Sequence, residues 1–210
     1  MGLLDVLLGR TKPVPPDLDR LFALPSAAVT LQAATALAPT GTGAVCFASV
    51  EGTAFDEVRR ELRALLDADT GDADTGDVDT GAGAGRGAAG VEAVRDEYGY
   101  SWLVSRRRPS ELPDLVGDLH TVNSALEGGG FGPQLLCSVV GFRGGEDGER
   151  RLGLVYLYKR GTFYPFAPLP GGAGRRDNAL ELRVRAVLAE DLRIEPDLGR
   201  WFPLWGAPGL

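Results

Sequence analysis

The stretch "LLCSVVGFRGGEDGERRLGLVYLYKRGTFYPFAPL", residues 135–169, contains three apolar runs parted by polar connections. "LLCSVVGF" (135–142) and "LGLVYLYK" (152–159) flank "RGGEDGERR" (143–151), and a tight "KRG" (159–161) leads into "TFYPFAPL" (162–169). Short runs of β-branched, aromatic and leucine residues bounded by Gly and charge read as strands. The connections are too short to hold the crossover that a parallel pair requires. The three runs therefore form an antiparallel meander, and the rest of the chain is read around it.

After the meander, "NALELRVRAVLAEDL" (178–192) spaces Leu180, Val184, Val187, Leu188 and Leu192 as the inward stripe of a helix. Before it, "SELPDLVGDLHTVNSALEGGG" (110–130) predicts a helix capped by Ser110, with Pro113 in its first turn. Leu115, Leu119, Val122 and Leu126 form its stripe, and Gly128 to Gly130 stop it. "YGYSWLVSR" (98–106) alternates Tyr98, Tyr100, Trp102 and Val104 with Ser101, Leu103 and Ser105, the pattern of a half-buried strand. Further upstream, "TAFDEVRRELRALL" (53–66) is an amphipathic helix and "AVCFASV" (44–50) a buried strand. "PSAAVTLQAATAL" (25–37) reads as a helix with Val29, Leu31, Ala34 and Leu37 on or near one side, ended by "PTGTG" (39–43). Only some crossings alternate strand with helix. The expected class is therefore α+β, a mostly antiparallel sheet with helices on one face. The β-α-β-β-α order of the second half also resembles that of secretion-chaperone-like folds.

"DADTGDADTGDVDTG" (67–81) repeats one unit three times. Calcium loops take oxygens from positions 1, 3, 5, 7, 9 and 12. In either frame, starting at Asp67 or Asp72, glycine stands at position 5 and no glutamate at position 12. Apart from Val78 the segment 67–90 has no large apolar residue, so it cannot offset its ordering entropy by burial. It is expected to be a disordered Asp/Gly-rich insertion in a single domain spanning 17–210. A short N-terminal helix and linker (1–16) precede that domain.

The repeat also accounts for the acidity. The net charge of −7 comes from 29 acids against 22 bases. Without the six repeat aspartates the balance is 23 to 22, so the folded part is nearly neutral and no nucleic-acid partner is expected. The one basic cluster, Arg106 to Arg108, reads as a solvated strand edge.

"MGLLDVLLGR" is too short to span a bilayer and lacks a secretion-signal pattern, and Val6 stands where a myristoylation motif has Ser or Thr. A cytoplasmic chain is expected, with peripheral membrane association through this apolar helix as one role open to it. H-E-x-x-H, C-x-x-C, G-x-S-x-G and P-loop patterns do not occur. One histidine and two separated cysteines, Cys46 and Cys137, are too few for a zinc site, and no cofactor is expected. The remaining catalytic option is a cysteine-dependent enzyme pairing Cys137 with His120, with Asn123 orienting the imidazole. The alternative is an interaction protein. Its candidate interface is Leu4 and Leu8 at one end with Arg200, Trp201 and Trp205 of "RWFPLW" at the other.

Taken together, "MGLLDVLLGR", "LFALPSAAVTLQAA" with "GAVCF", "DEYGYSWLV", "DLVGDLHTVNSALEGGGFGPQLL" and "DLGRWFPLWGAPGL" resemble the PspA-associated protein PspAB family. The similarity spans nearly the whole chain outside the Asp-Thr-Gly repeat. It implies a non-enzymatic accessory of the actinobacterial phage-shock, envelope-stress system, with no catalytic residues to carry over. The implied partner is a PspA-like membrane-binding protein or an HtpX-type membrane protease.

Overall fold

The computed structural model describes residues 16–48, 60, 91–145, 149–171 and 174–210. Six strands form one sheet: β1 (Leu37–Ala48), β2 (Glu92–Arg95), β3 (Tyr100–Arg106), β4 (Leu135–Gly144), β5 (Arg150–Leu157) and β6 (Thr162–Phe166). They lie in the order β2-β3-β1-β4-β5-β6, and every neighbouring pair is antiparallel. The meander of residues 135–166 is β4, β5 and β6, side by side in chain order. β1 occupies the interior, paired with β3 on one side and β4 on the other.

Helices α1 (Leu24–Thr35), α2 (Leu112–Leu126) and α3 (Asn178–Val187) pack on one face of this sheet, so the class is α+β as expected. Leu115, Leu119, Val122 and Leu126 of α2 are all buried, as their spacing requires. They meet Val45, Phe47, Leu103, Val140 and Phe142 of the sheet in one core. In α1 the buried positions are Leu24, Ala27, Ala28 and Leu31, while Val29 is 71% exposed and not inward. The helix also stops earlier than its apolar pattern suggests. Ala36 adopts a left-handed conformation (φ 57°) and donates its N–H to Gln32 O, so Leu37 already belongs to β1. "PTGTG" lies inside that strand, where the β1–β4 register shifts between Pro39 and Gly43 and Thr40 Oγ1 donates to Gly141 O. Gly41 (φ +78°) is obligatory there, because a Cβ would lie 2.1 Å from Arg107 O.

The second face of the sheet has its own core of Ala44, Cys46, Trp102, Val104, Cys137, Val139, Val155, Tyr164 and Phe166. The segment after α3, rather than a helix, packs on it: Trp201 and Ala207 are buried there, and Leu204, Trp205 and Leu210 pack against it. Gly141 makes this close approach possible, since a Cβ on it would lie 2.5 Å from Gly209 O. The alternation read in β3 is correct. Trp102 and Val104 face this second core and Leu103 faces the helices. β2 carries no alternation strong enough to mark it as a strand, and all four of its residues are exposed.

Two local expectations change. α2 is preceded by a 3-10 turn, Pro109–Glu111, in which Glu111 caps the Arg108 backbone, and Ser110 makes no side-chain cap. Arg106 to Arg108 are not a bare solvated edge, because each binds a carboxylate. Arg106 pairs with Glu92, Arg108 with Glu111, and Arg107 makes a two-pronged contact with buried Asp118 at 2.8 and 2.7 Å. The helix expected at 53–66, the insertion at 67–90, and Leu4 and Leu8 of the N-terminal segment lie outside the described residues, apart from residue 60, which is helical.

Candidate functional site

The described helices leave the second face of the sheet free, and the Trp201–Leu210 segment covers part of it. Between that segment and the β2–β3 turn lies an open cleft of about 650 Å³. Its floor is formed by Cys46, Trp102, Cys137 and Tyr164, and its rims by Asp96, Tyr98 and Tyr100 on one side and Phe202 to Trp205 on the other.

Asp96 builds the first rim. Its Oδ1 accepts the backbone N–H groups of Tyr98 (3.0 Å) and Tyr100 (2.8 Å), and its Oδ2 accepts the Trp102 indole N–H (2.9 Å). This is an Asx-type turn, completed by Gly99 at φ +85°. One carboxylate thereby sets the turn and fixes the indole plane. Tyr98 stands 56% exposed and Tyr100 44%.

The opposite rim is anchored from below. Tyr164 Oη donates to Phe202 O (2.9 Å), and burial pushes the Tyr164 phenol well above its ordinary range, so it stays protonated. Trp201 stacks on the Tyr164 ring at 6.1 Å and donates its indole N–H to Glu195 O (3.0 Å). Arg176 donates to Trp201 O (2.6 Å) and lies over the Phe166 ring, while Trp205 meets Phe166 edge-on at 5.0 Å. Glu195 ties the segment to β6. Burial would raise its carboxyl, but hydrogen bonds from Arg160, Thr162 and the Asp197 backbone outweigh it and hold it below the usual carboxylate range.

The floor depends on a bulge in β4. Cys46 opposes Cys137, but the next β1 residue, Phe47, opposes Leu135, so Leu136 is the extra residue. Leu135 turns to the helix-side core while Leu136 and Cys137 both line the cleft. The Cys46 thiol is raised above its ordinary value, first by its hydrogen bond with Cys137 and then by burial. A thiol held protonated is a poor nucleophile, and both oxygens of Asp96 are engaged. The cleft is equipped to receive apolar and aromatic groups.

Of the residues singled out in the sequence, Trp201 is 5% exposed and belongs to the second core. Arg200 is exposed and pairs with Asp197, and Trp205 is half-buried at the cleft rim. Cys137 and His120 are not brought together. Cys137 lies on the cleft face, whereas His120 sits on α2 over the opposite face, stacked near Phe22 with Nε2 3.3 Å from Asp19. Asn123 does not orient His120, because its side chain donates to Leu119 O and Ser138 Oγ in the buried helix–sheet seam. Sequence reasoning missed Asp96, Tyr98, Tyr100 and Phe202 as cleft residues. The period-two aromatics of β3 carried part of that signal. Among the described residues no group of three or more His, Cys, Asp or Glu is placed to hold a metal ion, and no helix is long and apolar enough to cross a membrane.

No curated protein matches the chain. No solved structure matches it either. The family model described as PspA associated protein B matches residues 1–209, nearly the full length given. The chain belongs to the PspA associated protein B family.

Proposed function

We propose that this protein is a non-enzymatic adaptor of a PspA-type envelope-stress response. It acts in the cytoplasm at the inner face of the membrane and docks a segment of a PspA-like protein in the aromatic cleft. The observation that carries this reading is the cleft itself. Aromatic side chains stand exposed around an apolar floor, on a face that no described helix covers. Solvent-exposed Tyr, Phe and Trp grouped around a concavity are the usual anchors of protein contacts, and the family relation supplies the PspA system. The interface is thus centred on Trp205 with Phe202, Tyr98 and Tyr100. Trp201 supports it from beneath, and Arg200 lies in the turn that leads into it.

The test is a binding titration of purified PspA-like protein, with the HtpX-type membrane protease in detergent as the competing candidate. Tyr98→Ala combined with Phe202→Ala removes two rings that are each 56% exposed, so the melting temperature should hold. Affinity for the PspA-like protein should fall at least tenfold. Unchanged affinity in a normally folded double variant, or binding of the protease alone, would overturn the proposal.

A further inference from the structure

We propose that Cys46 and Cys137 form a reversible disulfide site at the floor of the cleft, closed by a peroxide-class oxidant. The site does not depend on which partner the cleft takes. The two cysteines are directly opposed in the β1–β4 ladder. Opposed residues of an antiparallel pair have Cα atoms about 4.5–5.5 Å apart, within the roughly 4.4–6.8 Å that a disulfide spans. Both side chains belong to the same core on the same face, and both line the open cleft, which gives a small oxidant its path.

The surroundings favour this product over a metal complex. Among the described residues Asp96, on the rim, is the one charged side chain that lines the cleft, and a two-thiolate complex of a soft monovalent cation would carry a net negative charge close to that carboxylate. A disulfide is neutral. The neighbouring thiol and burial push the Cys46 thiol above its ordinary value. Cys46 thus keeps its proton, which leaves Cys137 to react first. The Cys137 sulfur attacks one peroxide oxygen and the O–O bond breaks. Cys137 becomes a sulfenic acid, and the other oxygen leaves as water or an alcohol. Cys46, no longer facing a thiol, then attacks the Cys137 sulfur as its proton passes to the departing oxygen, the S–O bond breaks and water leaves. Two thiols are oxidised by two electrons and one peroxide is reduced, so the sum balances.

The experiment treats the full chain with hydrogen peroxide, then alkylates it in denaturant and maps it by mass spectrometry without reductant. The expected result is a monomer lighter by two hydrogens, resistant to alkylation, with the Cys46 and Cys137 peptides joined and released by dithiothreitol. In Cys46→Ser, a sulfenic acid should accumulate on Cys137 and be trapped by dimedone, which the wild type should not show. Two alkylated cysteines after treatment would overturn the proposal. So would chains cross-linked to each other, or oxygen added to one cysteine of the wild type while the other stays free. If Cys46→Ser fails to fold, the wild-type peptide map alone decides.

Discussion

Replacing Trp201 by alanine should be among the most destabilising single changes on the cleft side of the sheet. The side chain is buried, stacks on Tyr164 and donates to Glu195 O. Truncating a buried Trp costs about 3–5 kcal/mol. Of this, the aromatic pair accounts for roughly 0.5–1.5 kcal/mol and the indole hydrogen bond for about 1 kcal/mol. For a chain of 150–250 residues each kcal/mol moves the midpoint by roughly 2–4 °C, so the expected drop in Tm is roughly 6–20 °C. Trp201→Phe retains the ring and loses the indole donor, and should fall by only about 1–2 kcal/mol. Trp205→Ala is the internal comparison. Half-buried and touching Phe166 by an edge, it should cost about 1–2 kcal/mol while weakening partner binding. The assay is thermal melting by circular dichroism, with binding measured well below each midpoint. If Trp201→Ala melts within about 2 °C of wild type, or Trp205→Ala costs as much as Trp201→Ala, the reasoning fails.

Two further outcomes test the polar anchors. The folded Glu195 carboxyl lies below its unfolded value, so the stability it contributes is present above about pH 4.3 and is lost as pH falls through the folded value. The Tm difference between wild type and Glu195→Gln should therefore hold from neutral pH down to about pH 4.3 and shrink below it, and an unchanged difference at low pH would contradict the assignment. Asp118→Ala removes both oxygens that bind the Arg107 guanidinium, along with the acceptor of the Ser105 hydroxyl. Breaking such a buried pair should lower unfolding free energy by about 3 kcal/mol or more, read from the urea midpoint.

The parts of the fold governed by periodicity were legible in the sequence. The meander, the stripes of α2 and α3 and the two faces of β3 follow from spacing alone, because burial on one face forces it. What was not legible depends on single backbone torsions or on register. Ala36 ends α1 through a left-handed conformation that alanine rarely adopts, so no residue signal marked the stop. Arg107 looks like any surface arginine until α2 brings Asp118 to it. The cleft was only half visible. Its aromatics were recognisable as a group, but their partition into buried Trp201 and half-exposed Trp205 depends on where the segment after α3 crosses the sheet. The facing of Cys46 and Cys137 is a consequence of strand pairing, which two residues 91 positions apart cannot announce. His120, singled out as the chain's lone imidazole, belongs to the opposite side of the molecule.

The extra residue in β4 has a consequence for how this chain tolerates change in length. Leu136 resets the odd–even count of the strand: Val139 and Cys137 are in step with each other, and Leu135 is out of step with both. Deleting Leu136 would restore simple parity. Leu135 would then directly precede Cys137 and stay on the helix side opposite Phe47, and the cleft would lose the Leu136 side chain. A deletion of one residue at the bulge would thus leave both cores with their own side chains, whereas the same change farther along β4, between Cys137 and Phe142, would transfer side chains between them. The bulge is therefore the point in β4 where the chain can lose a residue and Leu135, Cys137 and Val139 all keep their faces.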